Sequence, residues 1–428
     1  MRILYVCQRV PYPPNKGEKL RSFHQIEYLL EQGHSIDVFM PEHSGKDKAH
    51  IEQLRSQGVN QTFSGELGQP YLSFAKALCS GRSLSEAKFY RTELQNLFDN
   101  VLEQNEYDAL VLCASSLARY VFASVHYERL QKTTLLFMDF MDVDSDKWRQ
   151  YAAQSAWPMR WVYHREAEKV ACLEQVVVEK FTQCFLISDK EVQLLQDTLS
   201  KVNATPQSQA VHSEQKIHTL GNGIDTKIFT PKPDINADCQ HFLFVGVMDY
   251  KPNVDAMLWF CEYIWPSILQ HNPQAELTIA GMSPTSKILE LGKQRSIHVT
   301  GLVDDIVPYF HRADVFVAPF QIARGVQNKI LQAMACGLPV ITSELGLEGI
   351  TAAEGTELIV ANSATEYKQA LSQLAQPDVR AAIGKSASAR IHAEYSWAGK
   401  LSLLEALLQQ TDTVTATCIR AEQDKECA

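Results

Sequence analysis

At 428 residues the chain exceeds what one hydrophobic core usually organises, so roughly two to three domains are expected. A net charge of -10 excludes a protein that holds nucleic acid or acidic lipid through its overall charge, although a local basic patch stays open. The ten cysteines include no CxxC pair and several stand in apolar runs, so they read as reduced core residues of a cytoplasmic protein. The start "MRILYVCQRVPYPP" is too short an apolar run for a signal peptide, and no stretch has membrane-spanning length, so the chain is expected to be soluble or at most peripheral.

In chain order, "RILYVC", "SIDVFM", "ALVLC", "TLLFMD" and "CFLIS" read as short buried strands. Between the first two, Glu18 to Gln32 carries Leu20, Phe23, Ile26 and Leu30 at helical spacing and is expected to pack that face on the sheet. "KVNATPQSQAVHSEQ" reads as a surface loop, and "KIHTLGNGID" as one more strand with an Asn-Gly turn. "FTPKPDINADC" then reads as a linker. The alternation restarts with "HFLFVGV", "AELTIAG", "IHVTG", "DVFVAPF", "LPVIT" and "ELIVAN". This pattern predicts an α/β protein of two doubly wound, Rossmann-like domains over 1–230 and 231–392. A helix over 393–412 is expected to pack back on the first domain, with 413–428 a disordered tail. No internal repeat is visible.

Open α/β sheets bind ligands beyond the carboxyl ends of their strands, so a cleft is expected there, but the chemistry must come from the residues. The GxGxxG fingerprint and the Walker A sequence are both absent. In "PPNKGEKLRSF", Gly17 can bring a backbone N–H up to a ligand, with Lys16, Lys19 and Arg21 nearby. "ARGVQNKILQAMACGLPVI" carries two stripes. Val326, Ile330 and Met334 can face a core, while Gly325, Asn328, Lys329 and Gln332 gather on another side. With Gly325 at the helix start, that second side suits an anion such as a phosphate; an ordinary solvated face is the other reading. Asp142-Val143-Asp144 is an Asp-x-Asp pair of the kind that can hold a divalent metal. His34 follows Gly33 at a helix end, where a cap or packing role is the commoner one.

Across nearly its whole length the chain resembles the retaining family 4 glycosyltransferases of GT-B fold, in particular the sugar transferases of exopolysaccharide clusters of the PEP-CTERM/exosortase type. The resemblance rests on "PYPPNKGEKLRSFHQIEYLLEQGH", "DFMDVDSDKW", "LISDKE", "GNGIDTKIF", "FVGVMDYKPNVDAMLWF", "VTGLVDDIVPYFHRADVFVAPF" and "ARGVQNKILQAMACGLPVI", in that order. It implies that a UDP- or GDP-sugar binds the second domain, without a metal or other cofactor. A saccharide or lipid-linked saccharide acceptor would bind the first, at the inner face of the cytoplasmic membrane if the protein associates with it. No nucleic-acid partner is implied.

The family's paired glutamates correspond here to Arg324 and Gln332, and the usual arginine after the second domain's first strand is missing, since Val247 follows Gly246. Lys251, Arg324 and Lys329 are the cations left for a pyrophosphate, with Gly17, Gly246, Gly325, Val326, Asn328 and Gln332 as further donor contacts. Gln332 can still accept from a ribose hydroxyl, roughly half as strongly as a carboxylate. Arg324 and Asp142 are the candidate catalytic residues, and Asp139 and Asp144 the candidate acceptor contacts. A catalytically weakened sugar-nucleotide binder and a GT-B sugar-nucleotide epimerase are the alternatives.

Overall fold

The computed structural model describes residues 1–14, 17–68, 77, 81–202, 216–232, 238–323 and 326–410. Most of the expected 201–215 loop, part of the linker and the tail after residue 410 lie outside the described residues. The chain divides into two compact units, Met1–Asn222 with Leu401–Ala428, and Gly223–Lys400.

The first unit is built on a seven-stranded sheet of order β3-β2-β1-β4-β5-β6-β7. Its strands are β1 (Arg2–Val6), β2 (Ser35–Glu42), β3 (Gln61–Glu66), β4 (Ala109–Cys113), β5 (Leu135–Met141), β6 (Gln183–Leu186) and β7 (Ile217–Thr219). All neighbours pair in parallel, for example Ile3 beside Ile36 and Ala109. Leu4, Val6, Phe39, Leu110, Leu112 and Met138 lie in one core cluster, which accounts for the apolar runs that identify these strands. β3 escapes such a reading because "QTFSGE" is mostly polar; as an edge strand its side chains are only partly covered.

The second unit has a six-stranded sheet of order β10-β9-β8-β11-β12-β13. Its strands are β8 (His241–Val245), β9 (Glu276–Ala280), β10 (Ile297–Gly301), β11 (Val315–Ala318), β12 (Val340–Thr342) and β13 (Ile359–Val360). Strand order changes direction between β1 and β4 in one sheet and between β8 and β11 in the other. Those are the points where doubly wound sheets leave a crevice at the carboxyl ends of their strands.

The boundary falls at Asn222/Gly223, ahead of the expected 230/231. The Ile224 N–H donates to the Tyr395 carbonyl at 2.7 Å, which ties the chain into the second unit at once. A Cβ on Gly223 would lie 2.4 Å from the Trp397 nitrogen, so glycine is required at this close approach. At the other end, residues 397–410 are helical and the chain from Leu401 groups with the first unit. Leu401, Leu404 and Leu408 are buried, and the His34 ring pairs with Glu405 at 2.7 Å. His34 is thus a packing residue.

One expected face is corrected. The Gly17–Glu31 helix buries Arg21, Ser22, Gln25, Ile26 and Leu29 most deeply, whereas Leu20, Phe23 and Leu30 are only partly covered. Apolar spacing misplaced the face because a buried carboxylate draws the polar side chains inward.

Candidate functional site

That carboxylate is Asp139, in the middle of the apolar run of β5. The Arg21 guanidinium donates to both of its oxygens, Nε to Oδ2 at 2.6 Å and Nη2 to Oδ1 at 3.0 Å. Gln25 Nε2 donates to Oδ2 at 2.6 Å, and the Met141 N–H reaches Oδ1 at 3.2 Å. Tyr5 donates to Gln25 Oε1 at 2.7 Å, and Arg21 Nη1 donates to Asn222 Oδ1 at 3.0 Å. Asp139 and Arg21 are both buried. Rather than presenting a free carboxylate to an acceptor, Asp139 fixes Arg21 and, through it, Asn222. Strained backbone marks the carboxyl ends of these central strands: Ala114 after β4 and Met141 at the end of β5 have φ of 95° and 66°.

Asp142 is exposed, and Asp144 is partly buried at the first position of the Asp144–Gln154 helix. Burial raises the Asp144 pKa; Lys147 opposes this, and the charges of Asp142, Glu166 and Glu191 add to it. Among the described residues no group of three or more His, Cys, Asp or Glu side chains is placed to hold a metal ion. Gly17 opens its helix exposed, and a Cβ there would meet nothing within 4 Å. Lys19 reaches the Tyr12 carbonyl at 3.4 Å, and Lys16 lies outside the described residues.

In the second unit the site forms where the strand order turns. Gly246 leaves β8 and donates its N–H to the Ala280 carbonyl at 2.9 Å. A Cβ on Gly281 (φ 147°) would lie 1.7 Å from the Gly246 carbonyl oxygen, and one on Gly246 would lie 2.6 Å from Asn253 Nδ2 and 3.0 Å from Lys329 Nζ. Only glycine lets these loops and side chains approach so closely. Lys329 Nζ donates to Asn253 Oδ1 at 2.6 Å, and Asn253 Nδ2 donates to the Val247 carbonyl at 2.8 Å. The ammonium lies 5.1 Å from the ring centroids of both Phe244, in β8, and Phe320, beyond β11. No carboxylate among the described residues pairs with it. Burial lowers its pKa to about 8.

Lys329 sits in the Asn328–Ala335 helix, which starts later than the expected Gly325. Ile330 and Met334 are buried as the apolar stripe requires. Val326 departs from that stripe: it precedes the helix and is 46% exposed. Asn328 is exposed, and Gln332 is partly buried with no side-chain hydrogen bond to a described residue. Arg324 and Gly325 lie outside the described residues. Lys251 opens the Lys251–Tyr263 helix 77% exposed and pairs with Asp255 one turn on. Asn253, Phe244, Phe320 and Gly281 are the residues that sequence reasoning missed. "KPNVDA" held the only cue to Asn253, a polar residue at the start of an otherwise apolar helix face.

Residues 239–377 match the family described as Glycosyl transferases group 1. A Klebsiella pneumoniae protein, "Uncharacterized 44.6 kDa protein in cps region", is 23% identical over 372 residues, covering 84% of this chain and 87% of its own. The Corynebacterium glutamicum GDP-mannose-dependent monoacylated alpha-(1-6)-phosphatidylinositol monomannoside mannosyltransferase is 26% identical over 214 residues, 44% of this chain and 55% of its own. Among solved structures, a Rickettsia africae glycosyltransferase superposes with a TM-score of 0.57 at 12% identity, over 96% of this chain and 98% of that one. Anabaena HepE in complex with UDP gives 0.55 at 14% identity, over 97% and 100%. These structural likenesses show the fold: two Rossmann-like units, as the strand pattern predicts, of the GT-B type that the resemblance implies.

Proposed function

We propose that this chain, which the comparisons support as a group 1 glycosyl transferase, moves a sugar from a nucleoside-diphosphate sugar to a saccharide or lipid-linked saccharide. The observation that carries the reading is Lys329, a partly buried ammonium with no carboxylate partner among the described residues, held at the strand-order reversal of the second unit. A desolvated cation is costly to keep unless an anion occupies the site during function, and a diphosphate supplies that anion. In the transfer, the bond from the anomeric carbon to the phosphate oxygen breaks. The acceptor hydroxyl oxygen takes its place and its proton is released. Lys329, joined by Arg324, stabilises the charge that develops on the departing diphosphate.

The donor is a UDP- or GDP-sugar; HepE was solved with UDP, and the Corynebacterium relative is named as GDP-mannose-dependent. Gln332, whose side chain makes no hydrogen bond to a described residue, is the ribose contact. The transfer is retaining, needs no metal, and serves exopolysaccharide synthesis at the cytoplasmic face of the membrane, a reading supported by the resemblance and by the Klebsiella relative's place in a cps region.

A thermal-shift panel of nucleotide sugars, with and without chelator, tests the donor site, because a ligand that binds the folded state raises apparent stability. A shift with UDP- or GDP-sugars that survives chelation is expected. No shift with any nucleotide sugar at millimolar concentration would sink the reading, and strict dependence on magnesium or manganese would return the Asp142/Asp144 pair to consideration. Gly17→Val separates loop from ligand. Its Cβ has open space around it, so the fold should hold, and turnover should fall only if donor or acceptor approaches that backbone.

A further inference from the structure

The turn between the Asp144–Gln154 and Met159–Lys180 helices carries side chains that folding leaves uncovered. Trp157 is 82% exposed, Trp161 58%, and Tyr151 and Met159 43% each. Trp148, Tyr151 and Tyr163 pack ring against ring at 5.5–6.0 Å between centroids, which stiffens the hairpin without covering its tip. A large exposed apolar cluster is unusual on a soluble surface and marks a place of contact.

Charge identifies the partner. From Gln150 to Arg165 the sequence has no carboxylate, although the chain as a whole is acidic at -10. Arg160 is exposed beside the tryptophans, and Arg149, on the facing helix, helps line the same apolar depression. Two carboxylates stand behind the tip: Asp146 pairs with Arg149 at 3.8 Å toward the helix start, and Glu168 lies 3.7 Å from His164 one turn further along, which leaves Arg160 as the exposed arginine at the tip with no carboxylate partner among the described residues. Tryptophan and tyrosine with an apolar body and a polar edge, rimmed by arginine, match the boundary between acyl chains and anionic headgroups. A neutral protein partner would have no use for the arginine rim.

We propose that this hairpin tip docks the first unit on an anionic bilayer, with Trp157, Met159 and Trp161 entering the interface and Arg160 meeting the headgroups. The inference deepens the proposed placement at the membrane face and rests on that part of the reading, but it does not depend on sugar transfer.

The test is co-sedimentation of the full chain with vesicles of phosphatidylcholine carrying about one part in four of phosphatidylglycerol, with pure phosphatidylcholine vesicles alongside. Binding to the anionic vesicles is expected, with a blue shift of tryptophan emission and loss of binding at high salt. Trp157→Ser combined with Trp161→Ser should weaken binding by about tenfold or more, and Arg160→Glu should do the same for anionic vesicles. These side chains are exposed, so the variants should keep the wild-type melting temperature and nucleotide-sugar shift. Failure of the wild type to sediment with anionic vesicles, undiminished binding by the tryptophan variant, or a wild-type dimer that the tryptophan variant abolishes would each overturn the proposal. An intact nucleotide-sugar shift beside such a failure would leave the sugar-transfer reading standing.

Discussion

Lys329 concentrates most of the site's physics in one side chain. Its folded pKa of about 8 against an ordinary 10.5 means that the unfolded chain carries the extra proton between those values, so this group makes stability rise with pH across that window. A bound diphosphate needs the charged form, so donor affinity should fall as pH climbs through about 8, as titration calorimetry in a buffer series can show. A flat profile across that range would exclude Lys329 from the phosphate site. Lys329→Met should weaken donor binding by roughly ten- to hundredfold, the loss of a charge-assisted contact, while raising the melting temperature because a desolvated cation is removed. Asn253 sets where the lysine titrates. Asn253→Asp puts a carboxylate oxygen where Oδ1 now stands at 2.6 Å, which should move the pH midpoint upward and weaken affinity by neutralising the site. The lysine was legible in the sequence from its place on a polar helical stripe. Asn253 and the aromatic walls were not, because they meet Lys329 only once β8 and β11 lie side by side.

At the scale of elements, apolar runs revealed every strand buried on both faces and missed polar β3, whose partial cover leaves no such run to read. Polar burial was harder still: Arg21 and Gln25 turn inward only because Asp139, far away in sequence, waits in β5. The Asp144–Gln154 helix shows the same dependence. Its start is served from a neighbouring helix by Glu174, whose Oε1 accepts from the Ser145 N–H at 3.0 Å while Oε2 meets no donor among the described residues. Burial first, and then the charge of Asp144, push the Glu174 pKa to about 7 from an ordinary 4.5, against the hydrogen bond from the Ser145 N–H that lowers it. The folded chain therefore holds a proton that the unfolded chain has lost between those values. Glu174's contribution is full below the lower value and is lost as pH rises through the upper one. The ceiling on that loss is about 3 kcal/mol. Glu174→Gln keeps the acceptor without the titration, so urea unfolding at about pH 5 and about pH 8 should show a smaller difference for the variant than for wild type. Equal differences would mean that Glu174 is ionised throughout.

On the scale of the whole molecule, the chain leaves its first unit at Asn222, builds the second, and returns at Leu401. The sequence announced both sheets through the restart of alternating strands and helices. It placed the boundary late because the "GNGID" segment looks like the end of one strand system, whereas the pairing of Ile224 with the Tyr395 carbonyl and Ser396 makes it the start of the next. This threading makes a prediction that separates the units. Leu404 is buried within the first unit, while Lys329, Asn253 and Gly246 all belong to the second. Leu404→Ala removes buried methyl groups and should cost about 2–5 kcal/mol, with the loss confined to the unit whose core it lines. Calorimetry should then show an early transition in the variant, and a nucleotide sugar should raise the later transition by as much as it does in wild type. If the variant instead unfolds in one step and donor raises that step as a whole, the units melt together. Their stabilities are then coupled, and the donor site draws on the first unit's core as well as its own.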